Sequence, residues 1–253
     1  MSKILTQVIP PVSIIIPTLN EEKYLPALLN SLRNINSPLE IIVVDGNSTD
    51  GTVQVVAEHQ PHFYGDSSLR IIEAKERGIS LQRNLGAYEA QHDIFIFCDA
   101  DMVAPSHQSF SLYISNFIHK KSVVASPVLV PIERGIRIAL LHKVMAGAQR
   151  LLLSLRRPYF GGAGLTTTKE VFYAVGGFDT NLLLGEDVDY SLRASKHGPY
   201  HQINVKWSVS ARRFIKYGYR WILKETPELL RLLSKGRIKN AKTVFYPFGE
   251  YTE

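Results

Sequence analysis

The chain has 253 residues, 45% of them hydrophobic, enough to bury a substantial core within one α/β domain. Cys98 is the single cysteine, which excludes an intramolecular disulfide framework and a Cys-x-x-Cys zinc pair and fits a reducing compartment. The net charge of +6 comes entirely from residues 211–253, where ten Lys or Arg stand against four Glu; residues 1–210 balance at nineteen each.

The first residues, MSKILTQVIPPVSIII, carry Lys3 as their one basic group and no small-residue cleavage site, so no signal peptide is expected. No uncharged apolar run approaches the roughly 20 residues of a spanning helix. The expectation is a soluble, cytoplasmic protein, at most peripheral at the inner face of the membrane. A solvated face is the commonest use of a basic segment, an anionic membrane surface is the partner that would exploit it, and no nucleic acid is expected.

In chain order, four nearly unbroken apolar, β-branched runs occupy the first hundred residues: Val12–Ile16, Ile41–Val44, Leu69–Ile72 and Ile94–Phe97. Such runs predict strands buried on both faces. Between them, Glu21–Asn34 repeats Tyr24, Leu25, Leu28, Leu29 and Leu32 at helical spacing, Asp50-Gly51-Thr52 leads into Val53, Val55 and Val56, and Ser80–Ala90 supplies a third helix. This alternation predicts a mostly parallel, Rossmann-like sheet flanked by helices, with the strands' carboxyl ends gathered on one ligand-binding edge. The second half is less regular: an apolar run Val123–Val130, a helix Ile136–Leu155, the loop Gly161-Gly162-Ala163-Gly164, a helix near Asp187–His197 and a strand near Ile203–Val209.

Four segments follow the first four strand ends: Pro17-Thr18-Leu19-Asn20-Glu21, Asp45-Gly46-Asn47-Ser48, Glu73–Arg77 and Asp99-Ala100-Asp101. Carboxylates two residues apart at a strand end can turn toward one ion, and hard oxygen ligands suit Mg²⁺ or Mn²⁺ bridging phosphates. Taken alone, Asp99 and Asp101 are an ordinary polar strand terminus. Asp45, as an unpaired carboxylate on the same edge, would accept a hydrogen bond from a pyrimidine or ribose donor, although Asp-Gly is also turn chemistry. Arg77, Arg83 and Asn84 are expected to put cationic and amide groups at the head of the third helix, where anionic oxygens are accommodated. Gly176-Gly177-Phe178-Asp179, followed by Gly185-Glu186-Asp187-Val188-Asp189, offers a general base, with a helix-dipole complement as the plainer role. Phosphate-loop, dinucleotide and nucleophile-elbow signatures do not occur in the sequence, and each of the eight histidines reads as a surface or core residue rather than a zinc ligand.

Five pieces in order resemble glycosyltransferase family 2 over roughly residues 12 to 197: Ser13 to Glu21, Ile42 to Thr52, Arg83-Asn84-Leu85-Gly86, Cys98 to Asp101, and Gly176 to Asp179 leading to Glu186-Asp187. The resemblance implies one GT-A catalytic domain over residues 1–210, with a basic helical segment, residues 211–253, packed on it or extending it. It implies sugar transfer from a nucleotide-sugar donor to a hydroxyl of a saccharide or lipid-phosphate acceptor, with inversion. By the same resemblance Asp45 contacts the base, Asp99 the ribose and metal, and Asp101 the metal of a DXD motif, while Asp187 is the catalytic base and Glu186 shapes the acceptor side. Pro17, Thr18, Asn20, Glu21 and Asn47, with Arg77, Arg83, Asn84 and Ala100, complete the expected donor set. Many members carry two acidic residues where this chain has Asp45-Gly46, so base recognition rests on fewer groups.

Two seven-residue series, His142, Gln149, Arg156 and Lys143, Arg150, Arg157, fall on a face opposite Leu140, Leu141, Met145, Leu151 and Leu152. This basic amphipathic helix either packs its leucines on the core or lies on a membrane. A second such element starts at Thr226-Pro227-Glu228 and carries Leu229, Leu230, Leu232 and Leu233, with Tyr217, Tyr219 and Trp221 nearby. Two rival functions are a nucleotidyltransferase, whose glycine-rich loop is replaced here by Pro-Thr-Leu-Asn-Glu-Glu, and a degenerate nucleotide-sugar-binding protein, which the intact acidic sets oppose.

Overall fold

The computed structural model describes residues 9–158, 160–182 and 184–216. β1 (Val12–Thr18) and β2 (Leu39–Asp45) are buried along their whole lengths, as apolar runs covered on both faces should be. With β3 (Ser68–Glu73) and β4 (Ile94–Phe97) they form the parallel order β3-β2-β1-β4. The crossovers are α1 (Leu25–Arg33), α2 (Thr52–His59) and α3 (Ile79–Glu89). Alternation along β1 divides the core: Ile14 and Ile16 share one cluster with Leu25, Leu28, Leu29 and Leu32, whereas Ile15 belongs to the other with Val44, Ala87 and Phe97.

Beyond β4 come β5 (Met102–Val103), α4 (His107–His119), β6 (Val124–Pro131), α5 (Ile136–Ser154), β7 (Leu165–Thr168), α6 (Lys169–Ala174), α7 (Glu186–Ala194) and β8 (Tyr200–Val209). β7 lies antiparallel between β4 and β6, β8 runs parallel to β6, and β5 closes the edge antiparallel to β8. β1, β2, β3, β4, β6 and β8 therefore point the same way. The residues after β8 arrive at the same edge as those after β1, β2 and β4.

Three features depart from the periodicity reading. The helix expected from Glu21 begins at Leu25, because the N–H groups of Tyr24 and Leu25 bond back to the Glu21 carbonyl at 3.0 and 2.9 Å and leave Glu21 in a turn. α4, α6 and β7 were not expected: α4 mixes Ser, His and Asn with its buried Phe110, Tyr113, Ile114 and Phe117, and the other two span six and four residues. The third is α5, which forms as expected yet buries none of its residues.

The two series on α5 do not share a solvated face opposite a packed leucine face. His142 and Gln149 turn toward the body, His142 edge-on to Phe214 at 6.2 Å and Gln149 accepting from the Gln202 amide at 2.6 Å. Lys143, Arg150 and Arg157 are exposed alongside Leu140 and Leu151. Among the described residues no helix is long and apolar enough to cross a membrane. The stripe Leu229 to Leu233, Thr226-Pro227-Glu228, Tyr217, Tyr219 and Trp221 lie outside the described residues.

Candidate active site

β1 and β2 end side by side, Thr18 opposite Asp45, and the loops leaving them are tied together. Asp45 is buried, and its carboxylate accepts from the Thr18 hydroxyl at 3.1 Å, the Ser48 hydroxyl at 2.5 Å and the Ser48 N–H at 2.8 Å. The expected unpaired carboxylate is thus a paired one, because the Asp-Gly turn closes on itself. Asn20, with left-handed backbone at φ 57°, accepts the Thr49 N–H, and its own N–H donates to Ser48 Oγ. The Gln82 amide from α3 donates to the Thr18 and Val44 carbonyls at 2.8 and 2.7 Å, stitching the two strand ends. Arg77 donates to the Asn47 carbonyl at the exposed rim, while Pro17 and Ala100 are buried.

Two arginines divide the acidic pair after β4. Asp99 Oδ1 accepts from Arg83 Nη2 at 2.9 Å, and Nη1 of the same guanidinium donates to Glu186 at 2.7 Å. Rather than presenting charge at the helix head, Arg83 lies one turn inside α3, 1% exposed, with its guanidinium 5.4 Å from the Phe178 ring centroid. Asp101 Oδ2 accepts from Arg212 Nε at 2.9 Å, and Arg212 Nη2 donates to Glu21 Oε1 at 2.6 Å. The Arg212 guanidinium lies 4.0 Å over the Tyr24 ring. Around it, the Ser210 N–H donates to the Asp101 carbonyl, and the Ser210 hydroxyl and Ala211 N–H hold the Glu133 carboxylate from the turn before α5.

Burial is the main force on these acids. It pushes Glu21 up to about 7 and raises Asp101, against the pull of Arg212 on both. Burial also opposes the charge on Arg212, but Glu21 and Asp101 outweigh it and hold that guanidinium above its ordinary range.

Glu186 and Asp187 open α7. Glu186 is buried, whereas Asp187 keeps a partly accessible surface, its Oδ2 accepting the Gly162 N–H and its Oδ1 the Val188 N–H, each at 2.7 Å. Burial, then the charge of Asp187, raises Glu186; burial also raises Asp187, with Arg83 and the two N–H groups opposing. A carboxylate held above its usual range at a cleft has the properties of a general base. Gly162 sits where a Cβ would lie 2.0 Å from Arg83 Nη2. Both ends of the Asn84 amide are spent on the Phe178 backbone at 2.9 and 2.8 Å, and Gly177, at φ 71°, leaves it room. Asp189, expected at most to complement the helix dipole, pairs with Arg193 one turn along the helix.

The order of these parts along the chain, strand-end loops first, Asp99 and Asp101 next, the glycine pair before α7 last, is matched by Glycosyl transferase family 2 over residues 13–178. The chain belongs to that family. This glycosyltransferase is 28% identical over 226 residues to the dolichyl N-acetyl-alpha-D-glucosaminyl phosphate 3-beta-D-2,3-diacetamido-2,3-dideoxy-beta-D-glucuronosyltransferase of Methanococcus voltae, a match covering 81% of this chain and 68% of that protein. In fold it is similar to the mannosyltransferase PcManGT of Pyrobaculum calidifontis, solved with GDP-Man and Mn²⁺, at TM-score 0.69 and 21% identity, covering 89% of this chain and 63% of that one. Residues 1–349 of TarS from S. aureus, solved with UDP-GlcNAc, give TM-score 0.59 at 21% identity over 80% of this chain and 56% of that one. The chain thus spans two thirds or less of the length of most of these proteins, and its sheet is the GT-A arrangement they share.

Two residues of this cluster escaped the sequence reading. Arg212 follows the expected strand near Val209, so the strand-end rule that selected Asp45 and Asp99 also reaches it; an acidic edge short of counter-charge was the signal. Gly162 was visible as part of a glycine loop, but nothing local marks its neighbour as Arg83. The carboxylates of Glu21, Asp99, Asp101, Glu186 and Asp187 outnumber Arg83, Arg212 and the nearby Arg213, and Glu21 Oε2 is buried with no hydrogen-bond partner among the described residues. This all-oxygen, net negative donor set fits a hard divalent cation. Among the described residues no three His, Cys, Asp or Glu side chains gather to hold an ion by themselves.

Proposed function

We propose that the chain transfers a glycosyl group from a nucleoside-diphosphate sugar to an acceptor hydroxyl, with inversion at the anomeric carbon. The observation that carries this reading is the Arg83 bridge, in which one guanidinium joins Asp99 on the donor side to Glu186 beside Asp187. Thr18, Asn20 and Asp45 brace the loops that carry the base and ribose, with Arg77 and Asn47 at their rim. Asp99 and Asp101 would hold Mg²⁺ or Mn²⁺, which would supply Lewis-acid stabilisation of the departing diphosphate. Asp187 takes the proton from the acceptor hydroxyl as its oxygen bonds to the anomeric carbon, and the bond from that carbon to the diphosphate oxygen breaks on the opposite face. Residues 1–210 form the catalytic unit, to which the following segment contributes Arg212. The acceptor is a saccharide or a lipid-phosphate-linked sugar; the name of the Methanococcus relative supports the second.

A screen of UDP-, GDP- and dTDP-sugars, measuring nucleotide release with Mn²⁺ and with saccharide or lipid-phosphate acceptors, tests the class. Release from no donor under any of these conditions overturns it. Asp187→Asn is expected to lower turnover by about 10²- to 10⁴-fold while donor binding persists. Turnover near wild type in that variant removes Asp187 from the role of base.

A further inference from the structure

α5 is a 19-residue helix, about 28 Å long, in which no residue is buried. Its outward side is not polar. Ile136, Leu140 and Val144, at successive fourth positions, continue through Leu151 to Leu155 as one stripe, exposed by 89%, 61%, 61%, 61% and 61%. Soluble helices place such a stripe against the core. Here the core side of α5 is instead taken by His142, Gln149 and Leu153.

Cations border the stripe. Arg137 lies on one flank, and Lys143, Arg150 and Arg157 on the other, all exposed. Residues 134–157 contain six Lys or Arg and no Asp or Glu, whereas the rest of residues 1–210 has thirteen cations against nineteen carboxylates. Positive charge in the described part of the chain is therefore concentrated around its largest exposed apolar stripe. A protein or peptide partner would be matched by one element of this pattern or the other; a surface with anionic headgroups above an apolar layer matches both.

We propose that α5 docks the protein on an anionic phospholipid bilayer, lying in the plane of the interface with Leu140, Val144, Leu151 and Leu155 inserted and Lys143, Arg150 and Arg157 at the headgroups. Both ends of the helix run into the active site. Before it, Glu133 is held by Ser210 and Ala211, next to the Arg212 that grips Asp101. After it, the chain enters the loop whose Gly162 holds Asp187. Docking through α5 thus brings the acceptor side of the cleft to the bilayer. The docking is separate from the assignment of the base: Asp187→Asn protein is expected to bind the same vesicles as wild type.

Full-chain protein is sedimented with vesicles of phosphatidylcholine, with and without phosphatidylglycerol, at low salt. Wild type is expected to pellet with the anionic vesicles and weakly with the neutral ones. Leu140→Glu/Leu151→Glu and Lys143→Glu/Arg150→Glu are each expected to lose about tenfold or more in vesicle affinity, with thermal midpoint and donor binding unchanged. Because the single native cysteine, Cys98, is buried, an environment-sensitive dye on Val144→Cys reports insertion directly, and its emission is expected to shift blue on adding anionic vesicles. Wild type left in the supernatant overturns the proposal. So does vesicle binding that survives both double variants, which assigns lipid contact to residues 217–253. A drop in thermal midpoint, or a dimer turned monomer, without change in vesicle binding overturns it in favour of a face covered by this chain or by a second copy.

Discussion

Arg83 and Arg212 each straddle two carboxylates at the same edge of the sheet, but the two bridges are built differently. Arg83 comes from the middle of α3, is 1% exposed, and is enclosed by Phe178 and the backbone of Gly162. Arg212 comes from the segment leaving β8, reaches the buried carboxylates of Asp101 and Glu21, keeps 10% of its side chain exposed, and lies flat on Tyr24. The inner bridge ties the donor carboxylate Asp99 to the Glu186–Asp187 pair, so it sets the distance across which transfer is proposed to occur. The outer one neutralises acids on the side where the metal is proposed to bind, a task that a divalent ion could share. An acidic site of this kind needs fixed positive charge where geometry matters, and exchangeable positive charge where substrate enters.

The largest effect is therefore expected at the inner bridge. Arg83→Ala leaves Glu186 buried without its partner and should cost about 3–5 kcal/mol of stability, read as a lowered denaturation midpoint. Arg83→Lys should recover little, because a point charge cannot fork two carboxylates. Activity in Arg83→Lys close to wild type would break the distinction between the bridges. Next comes Gly162→Ala, whose Cβ would need the space of Arg83 Nη2. Displacing that group strains two ion pairs, with an expected loss of about 1–3 kcal/mol and a fall in turnover larger than the fall in donor affinity. An Ala variant with wild-type stability and kinetics would show that the guanidinium has another resting place.

How much of this was legible in the sequence follows the range of the contacts. β1, β2 and β4 were readable because each is an apolar run with both faces covered, and Asp99, Asp101 and Asp187 because a strand end or helix start marks them locally. The bridges were not readable, since Arg83 meets Glu186 across 103 residues, and Arg212 meets Asp101 and Glu21 across 111 and 191. No local pattern carries such pairings. Asp45 was misread as unpaired for the opposite reason: one partner, Ser48, is only three residues on, but hydroxyls near an Asp-Gly turn are too common to signal an engaged carboxylate. On α5, periodicity revealed two faces but not which one has a neighbour.

Arg212→Ala should cost less than Arg83→Ala, about 1–2 kcal/mol, because the Arg212 side chain is 10% exposed against 2% for Arg83, so that its removal admits water to the buried carboxylates of Asp101 and Glu21. Mn²⁺ should restore part of that loss, by supplying charge to Asp101 and Glu21, and restore none of the loss in Arg83→Ala. Equal rescue of both variants by the ion would erase the contrast between fixed and exchangeable charge.

The smallest expected effect, a pH slope, sharpens the same contrast. Burial holds the Glu21 proton up to about 7 in the folded state, against 4.5 for an ordinary glutamate, so between those values the folded protein binds more protons than the unfolded one. Stability in metal-free buffer should accordingly fall as pH rises through that window, Glu21 contributing on the order of 1 kcal/mol once access of water is allowed for. Glu21→Gln should flatten the slope, and Mn²⁺ should flatten it in wild type by favouring the ionised carboxylate. If the slope survives in Glu21→Gln, its source is Asp101 or the Glu186–Asp187 pair, the other acids that burial raises. Those two are separable, since an ion held by Asp99 and Asp101 would quench the first contribution and leave the second, enclosed behind Arg83, in place.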